Sequence, residues 1–260
     1  MISNRTKASL CLYLSLHEPG FVRTIFQMYD LHPYGLLEGT QTFSSQALDE
    51  LRTLINSATD EELLRLLKHM TRTSGDMRNR ISPRYRHDER WTDIVNCLML
   101  DGYVIEGQSL VPIAPSIEGA EPVEDEFTRE LQRSGLSEAG EIMRLLNNSA
   151  DDFRRIPPDY NGCLGKARVA LEALAVSMAR ARQALHPGTY DETSWGSILS
   201  YLKTSGLIRE DEEKGLAGVF RFVSAGAHRP VGLSEQEMAR LGRSLVSSMC
   251  YFLIKLHNNP

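Results

Sequence analysis

The chain has 260 residues, 42% of them apolar and 24% charged, with a formal net charge of −5. That is enough apolar material to build a core in one large or two modest domains. The charge excludes a protein that binds polyanions over its whole surface, and no apolar run approaches the ~18–20 residues that span a bilayer.

The first apolar stretch, Ala8–Leu16, follows Arg5 and Lys7 and runs into His17-Glu18-Pro19. It lacks a small-x-small cleavage site, so it reads as a helix or strand of the folded protein rather than a signal peptide. Ser45 to about Ser57 has helical character. Thr59-Asp-Glu-Glu62 is a capping box that opens the next helix, through about Thr73, with Leu63, Leu64 and Leu67 on one face. Gly75 to His87 reads as a loop. Residues 65–90 hold eight basic side chains (Arg65, Lys68, Arg72, Arg78, Arg80, Arg84, Arg86 and Arg90) against Asp76, Asp88 and Glu89. The window is therefore +5 in a chain whose remainder is −10. Arg78, Arg80, Arg84 and Arg86 form a candidate nucleic-acid patch, with a solvated loop as the plainer alternative.

Asp88–Leu100 is helical again, with Trp91, Val95, Leu98 and Met99 expected inward. Residues 102–113 switch to strand character, and Glu106-Gly107 between two apolar runs predicts a hairpin. Helices followed by a hairpin resemble a winged helix in pattern. Residues 114–126 are rich in Pro, Gly and acid, as linkers are. The expectation is a helical, winged-helix-like sensor or binding domain over 1–115 and a second domain over 116–260.

The second domain reads as nearly all helix. Phe127 to about Ser134 and Ser137–Asn148 are short helices, and Pro157-Pro158 interrupts the chain. A long helix follows, with Ala167, Leu171, Leu174, Met178, Ala181 and Leu185 at a 4-3-4-3-4 spacing. His186-Pro187-Gly188 ends it. Ser194 to about Ser205 carries Trp195, Ile198, Leu199 and Leu202 inward, and Gly206 caps it. Glu210 to about Ala225 has the stripe Leu216, Val219, Phe220 and Val223. A capping box, Ser234-Glu-Gln-Glu237, opens a last helix to about His257 with the stripe Met238, Leu241, Leu245, Met249, Phe252 and Leu256. Helices joined by short connections predict an up-down bundle, so the fold class is mainly α.

Arg221 and His228 lie seven positions apart, close to two helical turns. They fall together roughly 140° from the centre of the Leu216 stripe at ~100° per residue. The small residues Ala217, Gly218 and Ala225 flank them. Histidine can move a proton near neutral pH, and the arginine fork can hold a phosphate or the charge of a phosphorane. Arg229 beside His228, and Arg240 and Arg243 opposite the last apolar stripe, are candidate contacts to a substrate phosphate.

The four cysteines (Cys11, Cys97, Cys163 and Cys250) are far apart and form no C-x-x-C. Free thiols and a reducing, cytoplasmic setting are expected. No metal-ligand spacing, P-loop or dinucleotide glycine pattern occurs, so neither a metal nor a cofactor is expected.

A helical bundle with an arginine, six residues, then a histidine late in the chain resembles the HEPN superfamily. Gly226-Ala227-His228 is similar to the C-terminal domain of abortive-infection proteins, and Ala167-Arg168 with Leu171-Glu172 is similar to the family's opening helix. The resemblance covers about residues 120–260. It departs from the family at Phe222, where active members usually carry a polar residue. It implies a metal-independent ribonuclease that works as a homodimer, the two Arg–His helices forming one composite cleft. His228 would assist attack of the ribose 2′-hydroxyl or protonate the leaving oxygen, and Arg221 would stabilise the phosphorane. The family further implies phage defence or a toxin–antitoxin system, with RNA as substrate and an antitoxin or defence partner. The alternative is a non-catalytic regulator that binds DNA or another nucleic acid through the first domain and dimerises through the bundle.

Overall fold

The structure, a computed structural model, describes residues 2–29, 31, 42–113, 122–224 and 232–259. Those residues form eleven helices and one antiparallel hairpin, in two compact units, Met1–Pro122 and Val123–Pro260.

In the first unit, α1 (Asn4–Leu14) resolves the ambiguous N-terminal stretch as a helix. Ser3 caps it by accepting from the Thr6 N–H at 3.4 Å, and Leu10, Tyr13 and Leu14 are fully buried at helical spacing. Proline opens α2 (Pro19–Met28), where its missing N–H costs nothing. Next come α3 (Ser45–Ser57) and α4 (Asp60–Asn79). The capping box of α4 is formed, with Glu62 N–H to Thr59 Oγ1 at 3.3 Å and Thr59 N–H to Glu62 Oε2 at 2.7 Å. α5 (Arg84–Leu100) packs on α1 and α4. Asp101, just past α5, accepts from the Ser3 N–H at 2.9 Å and the Thr6 hydroxyl at 2.6 Å, tying the start of α1 to the end of α5.

The expected loop over Gly75–His87 is corrected. α4 continues through Gly75 to Asn79, and only Arg80–Pro83 turns the chain. Glycine inside a helix costs about 1 kcal/mol, and burial of Met70 and Met77 on either side of it outweighs that. The buried face of α5 is His87, Ile94, Cys97 and Leu98, with Trp91 packed against it, while Val95 and Met99 are only half-buried. β1 (Tyr103–Glu106) and β2 (Ser109–Pro112) pair in the register Tyr103↔Pro112 to Glu106↔Ser109. Gly107 takes φ 61° in the two-residue turn, a conformation that favours glycine.

The second unit is built around α8 (Tyr160–Gln183), whose Ala167, Ala170, Leu171, Leu174, Ala175 and Met178 are fully buried. It packs against α7 (Ala139–Arg154), α9 (Trp195–Thr204), α10 (Glu210–Val223) and α11 (Glu235–Asn258). The core ends at Ala179, so Ala181 and Leu185 of the expected stripe are exposed. Gly206 ends the α9 segment with φ 76°. α6 (Val123–Arg133) lies along α11 on a ladder of polar contacts. Glu124 pairs with Arg243 and accepts from the Ser247 hydroxyl, Glu126 accepts from the Tyr251 hydroxyl at 2.6 Å, and Glu130 accepts from Asn258 at 2.9 Å and Lys255 at 3.2 Å.

The expected stripe on α11 is rotated by about one residue, or ~100°. The buried residues are Met238, Ala239, Gly242, Arg243, Val246, Ser247, Cys250, Leu253 and Ile254, while Leu241 is 38% exposed. Met249, Phe252 and Leu256 are partly buried against the same core. The helix is therefore covered over a wide arc, with Arg243 inside it rather than opposite it.

Candidate functional site

Arg221 sits in the last turn of α10, exposed, and no described residue hydrogen-bonds or ion-pairs with its guanidinium. The helix stops at Val223. Ser224 is extended (φ −71°, ψ 142°), and its hydroxyl donates back to the Phe220 carbonyl at 2.7 Å. The helical spacing that joins Arg221 to His228 therefore ends before it reaches the histidine. His228, Arg229, Ala225, Gly226 and Pro230 lie outside the described residues.

The rest of α10 explains its neighbours. Leu216 and Val223 are buried, and Val219, Ala217 and Phe222 pack against the core. Ala217 thus leaves the small outer face assigned to it. Gly218 stays on that face, where an added Cβ would meet nothing within 4 Å. Phe222 turns toward α11, close to Gly242, so it serves packing. Phe220 stacks on Trp195 with centroids 4.5 Å apart, and the Arg168 guanidinium lies 5.3 Å from the Phe220 ring centroid. Arg168 also reaches Glu172 one turn on, at 3.4 Å.

The substrate arginines separate. Arg240 is half-exposed on α11. Arg243, expected on an outward RNA path, is instead 1% exposed, paired with Glu124 and donating to the Leu146 carbonyl at 3.3 Å. No substrate phosphate reaches it in this arrangement.

The basic segment becomes the corner where α4 turns into α5. Arg78 leaves the patch: it holds Asp88 with both ends of its fork, at 2.6 and 2.7 Å. That contact, joined by the His87 imidazole, holds the Asp88 carboxyl well below the usual range. Arg80, Arg84, Arg86 and Arg90 are exposed, and Arg80 lies 4.3 Å above the Phe21 ring. Tyr85, passed over in the sequence, stands among them at 61% exposure. The legible signal is an aromatic residue between two arginines, Arg84-Tyr85-Arg86.

Beneath this corner is a cluster that no single segment announces. The rings of His17 and His87 lie 5.3 and 5.5 Å from that of Tyr13, with Phe21 and Trp91 packed alongside. The Tyr13 hydroxyl, both nitrogens of His17 and His87 Nε2 are buried without a hydrogen-bond partner among the described residues. Burial, with the positive fields of His87 and Arg80, pushes the His17 pKa down to about 4. An unfolded histidine titrates near 6.5, so the unfolded chain binds the extra proton between those values. Stability should fall as pH drops through that window, by up to about 1.4 kcal/mol per pH unit. His17→Phe, which keeps the aromatic packing and removes two orphaned nitrogens, should match the wild type in urea at pH 7 and lose less at pH 5. Equal losses in both proteins would show that another group titrates.

Among the described residues no group of three or more His, Cys, Asp and Glu side chains is placed to hold a metal ion. No helix among them is long and apolar enough to cross a membrane. All four cysteines are buried and form no disulfide, and burial raises the Cys11 thiol to about 11. An open cleft of about 520 Å³ at the end of α6 and α11 is lined by Glu130, Lys255 and Asn258, which bond one another. Comparison with family models, with curated proteins and with solved structures finds no match in any of the three.

Proposed function

We propose that the protein is a metal-independent endoribonuclease of the phage-defence or toxin–antitoxin kind, working as a homodimer with Arg221 and His228 at a composite site. One observation carries the reading. Among the described residues, Arg221 is an unpaired cation on the open face of α10, one turn from a glycine with free space over it. A second helix can approach such a face closely, and a guanidinium without a carboxylate partner is available to a phosphate. The helical second unit, with α8 enclosed by α7, α9, α10 and α11, supports assigning it as a HEPN-like bundle. RNA brings its own nucleophile, the 2′-hydroxyl. The protein then needs to supply proton transfer, from His228, and charge stabilisation, from Arg221. Incubation of the purified protein with a mixed RNA pool in EDTA should yield fragments ending in 2′,3′-cyclic phosphate.

The dimer makes a separate prediction. If Gly218 faces its copy across a two-fold axis, Gly218→Trp should give monomers in analytical ultracentrifugation. A dimer untouched by that bulk would place the interface elsewhere.

The second reading is a non-catalytic nucleic-acid-binding regulator that dimerises through the bundle. The observation in its favour is the set of exposed arginines at the α4–α5 corner, Arg80, Arg84, Arg86 and Arg90. With the hairpin after α5, they suit a winged-helix-like domain whose helix or wing meets phosphates.

A further inference from the structure

The helical phases of α5 separate what faces the core from what faces outward. His87, Trp91, Ile94 and Leu98 point inward. At ~100° per residue, Tyr85 lies roughly opposite the centre of that set, on the crest of the helix. It is the aromatic ring least engaged by the fold there: it is 61% exposed, while Trp91 and Phe21 are packed against the core. Arg84 and Arg86 lie roughly 100° to either side of Tyr85, both exposed, and Arg90 lies further round on the Arg86 side. Arg80, in the turn just before α5, adds a further cation, propped on Phe21. The first turn of α5 holds no acidic residue. Asp88 is occupied by Arg78, which leaves Glu89, one turn after Tyr85, as the exposed carboxylate on the crest.

We propose that this corner binds single-stranded nucleic acid, with Tyr85 as a stacking platform for one base and Arg80, Arg84 and Arg86 on the flanking phosphates. The proposal rests on the nucleic-acid-binding reading of the corner and specifies the form bound. A ring on the crest offers its π-face to a base that has left its stack, which single strands supply and duplexes do not. Arginines on both flanks then follow a backbone that passes over the ring, and Glu89 disfavours a phosphate directly above the crest. In a duplex the same arginines could reach phosphates, but Tyr85 would meet only sugar and backbone.

The test uses the full chain, a fluorescein-labelled dT oligomer of about twelve nucleotides and its duplex with dA, followed by anisotropy over a range of salt. DNA lacks the 2′-hydroxyl, so cleavage does not intrude. The single strand should bind more tightly than the duplex. Tyr85→Ala should weaken single-strand binding about tenfold with little effect on the duplex, and Tyr85→Trp should retain it. The triple change Arg80→Ser, Arg84→Ser and Arg86→Ser should lower the salt slope by about two, near 0.7 for each phosphate that is no longer neutralised. Tyr85 is exposed, so its variants should melt as the wild type does. If the wild type binds the strand but Tyr85→Ala binds equally well, or if the duplex binds as tightly, the corner is a phosphate surface and the stacking proposal is wrong. If the wild type binds neither, the nucleic-acid reading of the corner falls with it.

Discussion

Replacing His228 with Ala should lower the rate of RNA cleavage by about 10²–10⁴-fold, the usual contribution of a positioned general acid or base. Arg221→Ala should cost a comparable factor, on the order of 10²–10³, because a preorganised cation aimed at developing phosphorane charge acts mainly in the transition state. The Arg221 variant should remain folded, since the side chain is exposed and no described residue binds it. A melting curve separates loss of chemistry from loss of structure. The measurement is the initial rate on labelled RNA in EDTA, with the 3′ ends analysed for cyclic phosphate. Arg221→Lys is a sharper probe, because it keeps the charge and loses the fork. A wild-type dimer that cuts no RNA, with or without an activator, would sink the enzyme reading and leave the nucleic-acid-binding regulator. Cleavage that requires magnesium would leave the two residues in doubt and discard this mechanism.

Local chemistry is readable where it is self-contained. Thr59 with Glu62, Ser234 with Glu237, the Glu106-Gly107 hairpin and Gly206 each act within four residues of themselves, and each structure forms as the sequence implies. Errors arise where a distant partner decides. The segment from Gly75 to His87 reads as a loop because it is charged and holds glycine, yet Met77 finds a core and Arg78 finds Asp88 ten residues on. The stripe on α11 misleads because apolar residues occupy more than one face of that helix. Only the carboxylate on α6, 119 positions away, reveals that Arg243 belongs inside. The candidate site divides in the same way. Arg221, Arg80, Arg84 and Arg86 are exposed, and their neighbours in the sequence are enough to suggest it. The contacts of Arg78, Arg243 and the His17–Tyr13–His87 group depend on folding and have no local signature.

Arg243→Ala should destabilise the second unit as strongly as truncation of a large core side chain. The side chain is 2% exposed, its guanidinium is held by Glu124 and the Leu146 carbonyl, and Ser247 bonds the same carboxylate. Removing it leaves a partly buried carboxylate without its cation and a void between α6, α7 and α11. Breaking a buried pair in this way costs about 3–5 kcal/mol. For a unit of this size the melting midpoint should fall by roughly 10–20 °C. Arg243→Met combined with Glu124→Gln should recover much of the loss, because the buried charge disappears with its partner and the methionine fills the space. The same variant decides between the two places given to Arg243. On an outward RNA path, its loss would weaken binding and leave the melt unchanged. In the core, it lowers the melt, and nucleic-acid affinity measured well below the new midpoint stays the same. Urea unfolding of the single and double variants gives the coupling energy directly. A cost under about 1 kcal/mol for Arg243→Ala would mean that apolar packing alone holds α6 on α11 and that the buried pair is incidental.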